Sequence, residues 1–254
     1  MMQSEDLERF RQDIICPHML KARNPFSCRP LPDISALPLA LSVRDGLSQS
    51  IDLRPSIHFL RDSAYHTPRH YHTVACLALE IGRFNQLGRD DLDLLVATAL
   101  IHDYGYRLLT SREQRLSDLR TSSWQSLAMP MERKHILLAC NHRIIEEGVC
   151  EVMQDLNMAT AYSHRREPMS LIQRCLSDAD VLQSCLSLDN YTVETELLKK
   201  EAQHTLCPVF SGFLESVGPM LSCIRGERVH PLEQARRTTL ALWKERTEQP
   251  AENA

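Results

Sequence analysis

The chain has 254 residues, enough for one domain with a sizeable core plus a short extension. Its 43% hydrophobic and 24% charged residues are ordinary for a globular protein, and no stretch approaches the roughly 18 continuous apolar residues of a membrane-spanning helix. A formal net charge of −4 gives no general attraction to nucleic acid or to an anionic membrane, so a phosphate-bearing ligand has to be drawn in by a metal or a local basic pocket.

From the N-terminus, Met1 to Glu8 are acidic and without an apolar run, so no secretory signal is expected. Ser4 caps a first predicted helix carrying Leu7, Phe10, Ile14 and Ile15, which Pro17 ends. Residues 24–57 hold Pro25, Pro30, Pro32, Pro38 and Pro55 and read as an irregular arm across the core, with room for a short strand or helix. The division expected is an N-terminal helix and arm over 1–57, a helical domain over 58–246 and a polar tail over 247–254.

From residue 67 onward the periodicity is helical. Thr67-Pro68 is a strong helix start, because Thr caps and Pro is pre-organised for the first helical position; the helix runs through Phe84. Asp90 begins the next, whose apolar run Leu94 to Ile101 ends at His102-Asp103, with Gly105 as the stop. Ser111 to Gln114 has the form of a capping box. Pro130 opens a helix with His135, Leu138, Ala139 and His142, and Pro168 opens one carrying Leu171, Ile172, Cys175, Ala179, Leu182 and Leu186. Three more are expected near 191–204, 208–224 and 231–246. No β-alternation is visible, so the fold class expected is an all-α bundle.

Nine scattered cysteines, odd in number and without a C-x-x-C pair, fit neither a disulfide framework nor a zinc knuckle; they read as free thiols in a reducing compartment, and the expected location is the cytoplasm.

Laid on this helix map, His66, His70, His102, Asp103 and an aspartate of the later apolar helix look like one metal site. Imidazole nitrogens and carboxylate oxygens together suit Zn²⁺, Mn²⁺, Fe²⁺ or Mg²⁺, and three or four such ligands leave positions open for water and substrate. The Thr67 cap puts His66 just before a helix and His70 in its first turn, so both rings can face one side; His72 faces elsewhere. His102 and Asp103 lie about 100° apart around a helix, yet can share a metal at a helix end. Asp178 and Asp180 both flank a buried stripe, and periodicity does not choose between them. A carboxylate there is costly unless a cation or hydrogen bonds satisfy it. His18, His58, His164, His204 and His230 have no acidic or histidine neighbour at ligand spacing.

The order Tyr65-His66-Thr67-Pro68-Arg69-His70, then Ala99-Leu100-Ile101-His102-Asp103, then Ala179-Asp180 resembles the HD-domain metal-dependent phosphohydrolase superfamily, in particular its cyclic-nucleotide phosphodiesterase-like branch. The likeness covers about residues 58–190. Thr67 stands where the family has Asn, and Tyr106 where many phosphodiesterases have a further His.

The resemblance selects Asp180 over Asp178 and implies that His70, His102, Asp103 and Asp180 hold one metal tightly, with Asp103 able to bridge to a second. It makes His66 the protonated donor to the leaving oxygen. His142 becomes a substrate-side or ligand candidate on the helix after His-Asp, ahead of His135, while Arg61, Arg69, Lys134 and Arg143 are possible phosphate contacts. The implied activity is hydrolysis of a nucleotide or similar small phosphate ester by metal-activated water. Two other readings stand beside it. One is a diiron oxygenase, which needs further histidine ligands; the other is a non-catalytic binding or signalling module stabilised by a metal.

Overall fold

A computed structural model describes residues 34–53, 65–106, 129–161, 169–202 and 218–248. The described chain is mostly helical, with one small hairpin. The expected helix over residues 4–16, the capping box at Ser111 and most of the helix expected at 208–224 lie outside the described residues.

The arm is more regular than its prolines suggest. Helix α1 spans Pro38–Leu53. Pro38 sits at its first position, where no amide hydrogen is needed. The first-turn amides of Leu39 and Ala40 donate to the carboxylate of Asp93, at 2.9 and 2.8 Å. That cap comes from another helix more than fifty residues away, so local sequence gives no sign of it.

Helix α2, Pro68–Phe84, has Thr67 at its N-cap position and Pro68 in its first turn as expected, but the Thr67 side chain makes no capping hydrogen bond. Helix α3, Arg89–Ala99, packs on α1 and α2. Gly82 lets the two helices meet closely here, since a Cβ would lie 2.6 Å from Leu92 Cδ1 and push that side chain aside. The helix stops at Ala99, short of the expected end, and Leu100 to Gly105 form the turns that follow. Gly105 adopts φ of 72°, a left-handed conformation suited to glycine.

Helix α4 spans Met131–Asn141, and helix α5 spans Glu147–Asn157. The second was not anticipated. Gly148 weakens its helical signal, although Cys150, Met153 and Leu156 make a buried stripe. Ile144 N–H donates to Ala139 and Arg143 N–H to Cys140, a Schellman closure with Arg143 at φ of 57°.

Helix α6, Leu171–Ser184, begins with a full capping box between Ser170 and Gln173. It lies against α2 in the most extensive contact of the fold. Val74, Leu77 and Ile81 of α2 are buried in one core with Leu95, Val96, Ile136, Met153, Leu176, Ala179 and Leu182.

Helix α7 spans Leu188–Ala202 and α8 spans Pro231–Glu248. Between them, residues 221–224, expected to finish a helix, form the 3₁₀ turn Leu221–Cys223 and the start of a hairpin of β1 (Ile224–Arg225) and β2 (Arg228–Val229). Gly226 at φ of 59° makes its tight reversal possible. The expectation of no sheet is corrected to this extent.

Candidate metal centre

Three segments bring the marked residues together. The N-terminal turn of α2 supplies His66 and His70, the turn after α3 supplies His102 and Asp103, and the middle of α6 supplies Asp180. Ligand atoms of His70, His102, Asp103 and Asp180 all lie within 4.8 Å of one another. His102 Nε2 is 3.0 Å from Asp103 Oδ2 and 3.5 Å from Asp180 Oδ1. His70 Nε2 is 3.3 Å from Asp103 Oδ2 and 3.6 Å from Asp180 Oδ1. The two Nε2 atoms are themselves 3.0 Å apart.

The surroundings hold this geometry in place. Tyr71, on α2, offers its hydroxyl to the carbonyls of His66 and Asp103, at 3.1 and 2.9 Å. The buried amide of Asn157 donates to the carbonyls of His102 and Glu132, both at 2.8 Å. His102 Nδ1 donates to the Ala99 carbonyl at 2.8 Å, which leaves the Nε2 lone pair aimed into the cluster. The two imidazoles are almost wholly buried, whereas the side chains of Asp103 and Asp180 are 16% and 22% exposed. The centre is therefore closed behind its histidines and open along its carboxylates.

Two carboxylates and inward-facing imidazole nitrogens at these distances require shared positive charge. Without a metal, a proton supplies it. Burial opposes charge on His102, but Asp103 and Asp180 overcome that penalty and hold the ring well above its ordinary pKa. Burial keeps His70 low, only partly offset by Asp103. Burial disfavours ionised Asp103, yet His102 and His66 hold its carboxyl well below the usual range. The donor set fits a divalent ion with two nitrogen and two oxygen ligands, in place of that proton.

His66 stands beside this set. Its Nε2 is 3.6 Å from Asp103 Oδ2, and its ring stacks on Tyr106 at 3.6 Å between centroids, 19° from parallel. Tyr106, where the sequence departs from the resemblance, also lies near-parallel to His135, at 6.0 Å and 12°.

The order of His142 and His135 is reversed in space. His142 ends α4 and its Nδ1 meets the Tyr104 hydroxyl at 3.0 Å. His135 donates from Nδ1 to the Tyr104 carbonyl at 2.9 Å and turns Nε2 toward Asp103 Oδ1, 3.7 Å away. Burial pushes His135 down to about 4, against the pull of Asp103, so the ring is neutral and presents a lone pair to the carboxylate. Tyr106, Tyr71, Asn157 and the placement of His135 were not found from sequence. The signal available was slight: Tyr106 follows Asp103 by three residues, and His135 shares its helical periodicity with His142.

The remaining candidates are placed as follows. Asp178 is away from the cluster, accepting hydrogen bonds from Ser222 N–H and Oγ–H at 2.9 and 2.6 Å. His72 has Nδ1 3.9 Å from Cys76 Sγ. Arg69 is ion-paired with the buried Glu194. Arg61 lies outside the described residues. Among the described residues no helix is long and apolar enough to cross a membrane. No family model, curated protein or solved structure matches this chain; the molecule is a helical bundle with a His/Asp cluster able to hold a metal ion.

Proposed function

We propose that this protein is a metal-dependent phosphohydrolase or phosphodiesterase of the HD type, acting on a nucleotide or a similar small phosphate ester. The observation that carries the proposal is the pairing of a mixed nitrogen and oxygen donor set, open on its carboxylate side, with a histidine just outside it. A divalent ion held there lowers the pKa of its water toward neutrality and offsets charge on the phosphoryl oxygens.

The chain's own residues do the rest. His70, His102, Asp103 and Asp180 would hold the ion, and the second oxygen of Asp103, which faces His135, would be available to a further one. His66, kept in orientation by Tyr106 and beside the Asp103 charge, holds a proton at Nε2 for the leaving oxygen. A purely structural site has no use for that extra group.

Purified protein is expected to hydrolyse one member of a panel of mono-, cyclic and dinucleotides with added Mn²⁺, Mg²⁺ or Fe²⁺, and to stop when chelator is added. His66→Ala should keep its metal while losing turnover by about 10²- to 10⁴-fold, the usual worth of a general acid. A panel with no metal-dependent turnover, or a fully active His66→Ala, sinks the proposal. The diiron reading draws on His135 alone, since His142 is engaged by Tyr104. Two tightly bound irons per chain would favour it.

A further inference from the structure

The last turn of α2, the β1–β2 hairpin and the start of α8 together line a cavity of about 500 Å³, within the range of roughly 300–1,000 Å³ usual for small-molecule sites. Phe84 and His70 stand at opposite ends of α2, which separates this cavity from the metal centre by about 20 Å along the helix axis. Its walls are tied together. Arg225 Nη1 donates to the Phe84 carbonyl at 3.5 Å, and the His230 amide closes the hairpin on the Cys223 carbonyl at 2.8 Å. The His230 side chain is buried and meets the Phe84 ring edge-on, with centroids 5.0 Å apart at 82°. Its Nδ1 accepts the Leu232 N–H, one of the amides left open at the start of α8, at 3.2 Å. Burial pushes the ring down to about 4, so it is neutral and its one proton sits on Nε2, which has no partner among the described residues.

Charged side chains of both signs share these walls. Glu80 and Arg83 face each other at 3.8 Å. Arg228 lies over the Phe84 ring, its Cζ 5.5 Å from the centroid, and forms no ion pair among the described residues. Stacking steadies a guanidinium while leaving its in-plane N–H groups for a carboxylate. Glu227, at the hairpin turn, likewise has no basic partner among the described residues. One cation and one anion are thus left over, beside the apolar surfaces of Phe84, Val229 and Pro231. A polyanion or a polycation would meet one matching charge and one opposing charge there. We propose that the cavity binds a zwitterion of the amino-acid class with a large apolar side chain. Its carboxylate takes Arg228 and the Nε2–H of His230, its ammonium group takes Glu227, and its side chain packs on Phe84, Val229 and Pro231. The site is independent of the activity at the metal centre.

Calorimetric titration of the full-length protein with free leucine, methionine, phenylalanine, tyrosine and tryptophan tests this. At least one of them should bind with a dissociation constant below about 1 mM. The N-acetyl and the amide derivatives of that ligand, each lacking one of its charges, should bind about tenfold more weakly or worse. Arg228→Gln and Glu227→Gln change exposed side chains of the hairpin, so both variants should keep wild-type helicity by circular dichroism. Each should weaken binding by about tenfold or more, the worth of one hydrogen bond to a charged group. No binding of any of these amino acids at about 10 mM would overturn the proposal. So would equal binding of the derivatives that lack a charge, or wild-type affinity in Arg228→Gln.

Discussion

Asp178 and Asp180 stand two residues apart on α6 and face two different parts of the molecule. Asp178 looks toward the 3₁₀ turn before the hairpin, where one of its oxygens takes two hydrogen bonds from Ser222. Nearby Glu233 is likewise filled, by Arg236, Arg237 and the Met220 amide. Asp93 is filled by the first amides of α1. Asp180 looks instead toward His70, His102 and Asp103, where the neighbours are nitrogens with lone pairs and another carboxylate. Burial alone does not mark a ligand. A buried carboxylate supplied with N–H and O–H donors holds the fold together, and one facing other acceptors calls for a cation.

The widest separation between the two regions should appear in Asp103→Asn and Asp180→Asn against Asp178→Asn. Asparagine keeps the shape and one oxygen but loses the anionic charge. The first two are expected to lose most of their metal, and Asp103→Asn to lose activity by about 10³-fold or more, several kcal/mol of transition-state stabilisation. Asp178→Asn should keep its metal. Elemental analysis with turnover on the same preparations decides it; metal retained in Asp103→Asn, or lost only in Asp178→Asn, would remove the distinction.

Stability should rank the same residues in the opposite order. Asp178→Ala strands the Ser222 amide and hydroxyl, two buried donors that each cost about 1–3 kcal/mol when unsatisfied, for a loss of about 3 kcal/mol. In metal-free protein, Asp180→Ala removes a carboxylate from a crowded acidic cluster and should cost clearly less. Urea unfolding in the presence of chelator measures both. An Asp180→Ala variant as damaged as Asp178→Ala would mean that Asp180, too, is chiefly structural.

Much of this contrast is invisible in the sequence, for a physical reason. Thr67-Pro68 marks a helix start locally, so the relation of His66 to His70 follows from two residues. The apolar run to Ile101 and the left-handed Gly105 likewise place His102 and Asp103 in a turn. Helical periodicity shows that α6 is buried but not which neighbour each aspartate meets. Ser222 lies 44 residues beyond Asp178, and Asp93 caps a helix that precedes it by 54 residues. His135 and His142 share a periodicity, and only the path of the chain after Asp103 settles which ring approaches the carboxylate. The hairpin escaped because its strands are two residues each and depend on one left-handed glycine.

The smallest effect, and the one most specific to the cluster, is its response to pH. In metal-free protein His102 is held well above its ordinary value and Asp103 well below. The raised His102 contributes stability that is full below about pH 6.5, its ordinary value, and is lost as pH climbs through the raised one. The depressed Asp103 contributes stability present above about pH 3.9 that is lost as pH falls through its lowered value. Buried His70, held low, and His135, pushed down to about 4, instead lose stability as pH falls below about 6.5, so metal-free protein should be most stable near pH 6.5. Metal affinity runs the other way over the neutral range, because an ion must displace the His102 proton. It should strengthen about tenfold per pH unit until His102 is neutral, about 1.4 kcal/mol per unit, with one proton released per ion. Mn²⁺ titrations in buffers of different ionisation enthalpy measure both quantities. Affinity that stays flat across roughly pH 6 to 8, with no proton released, would show that no proton occupies the metal's place. In that case His102 would not be the residue that distinguishes this carboxylate cluster from the filled ones.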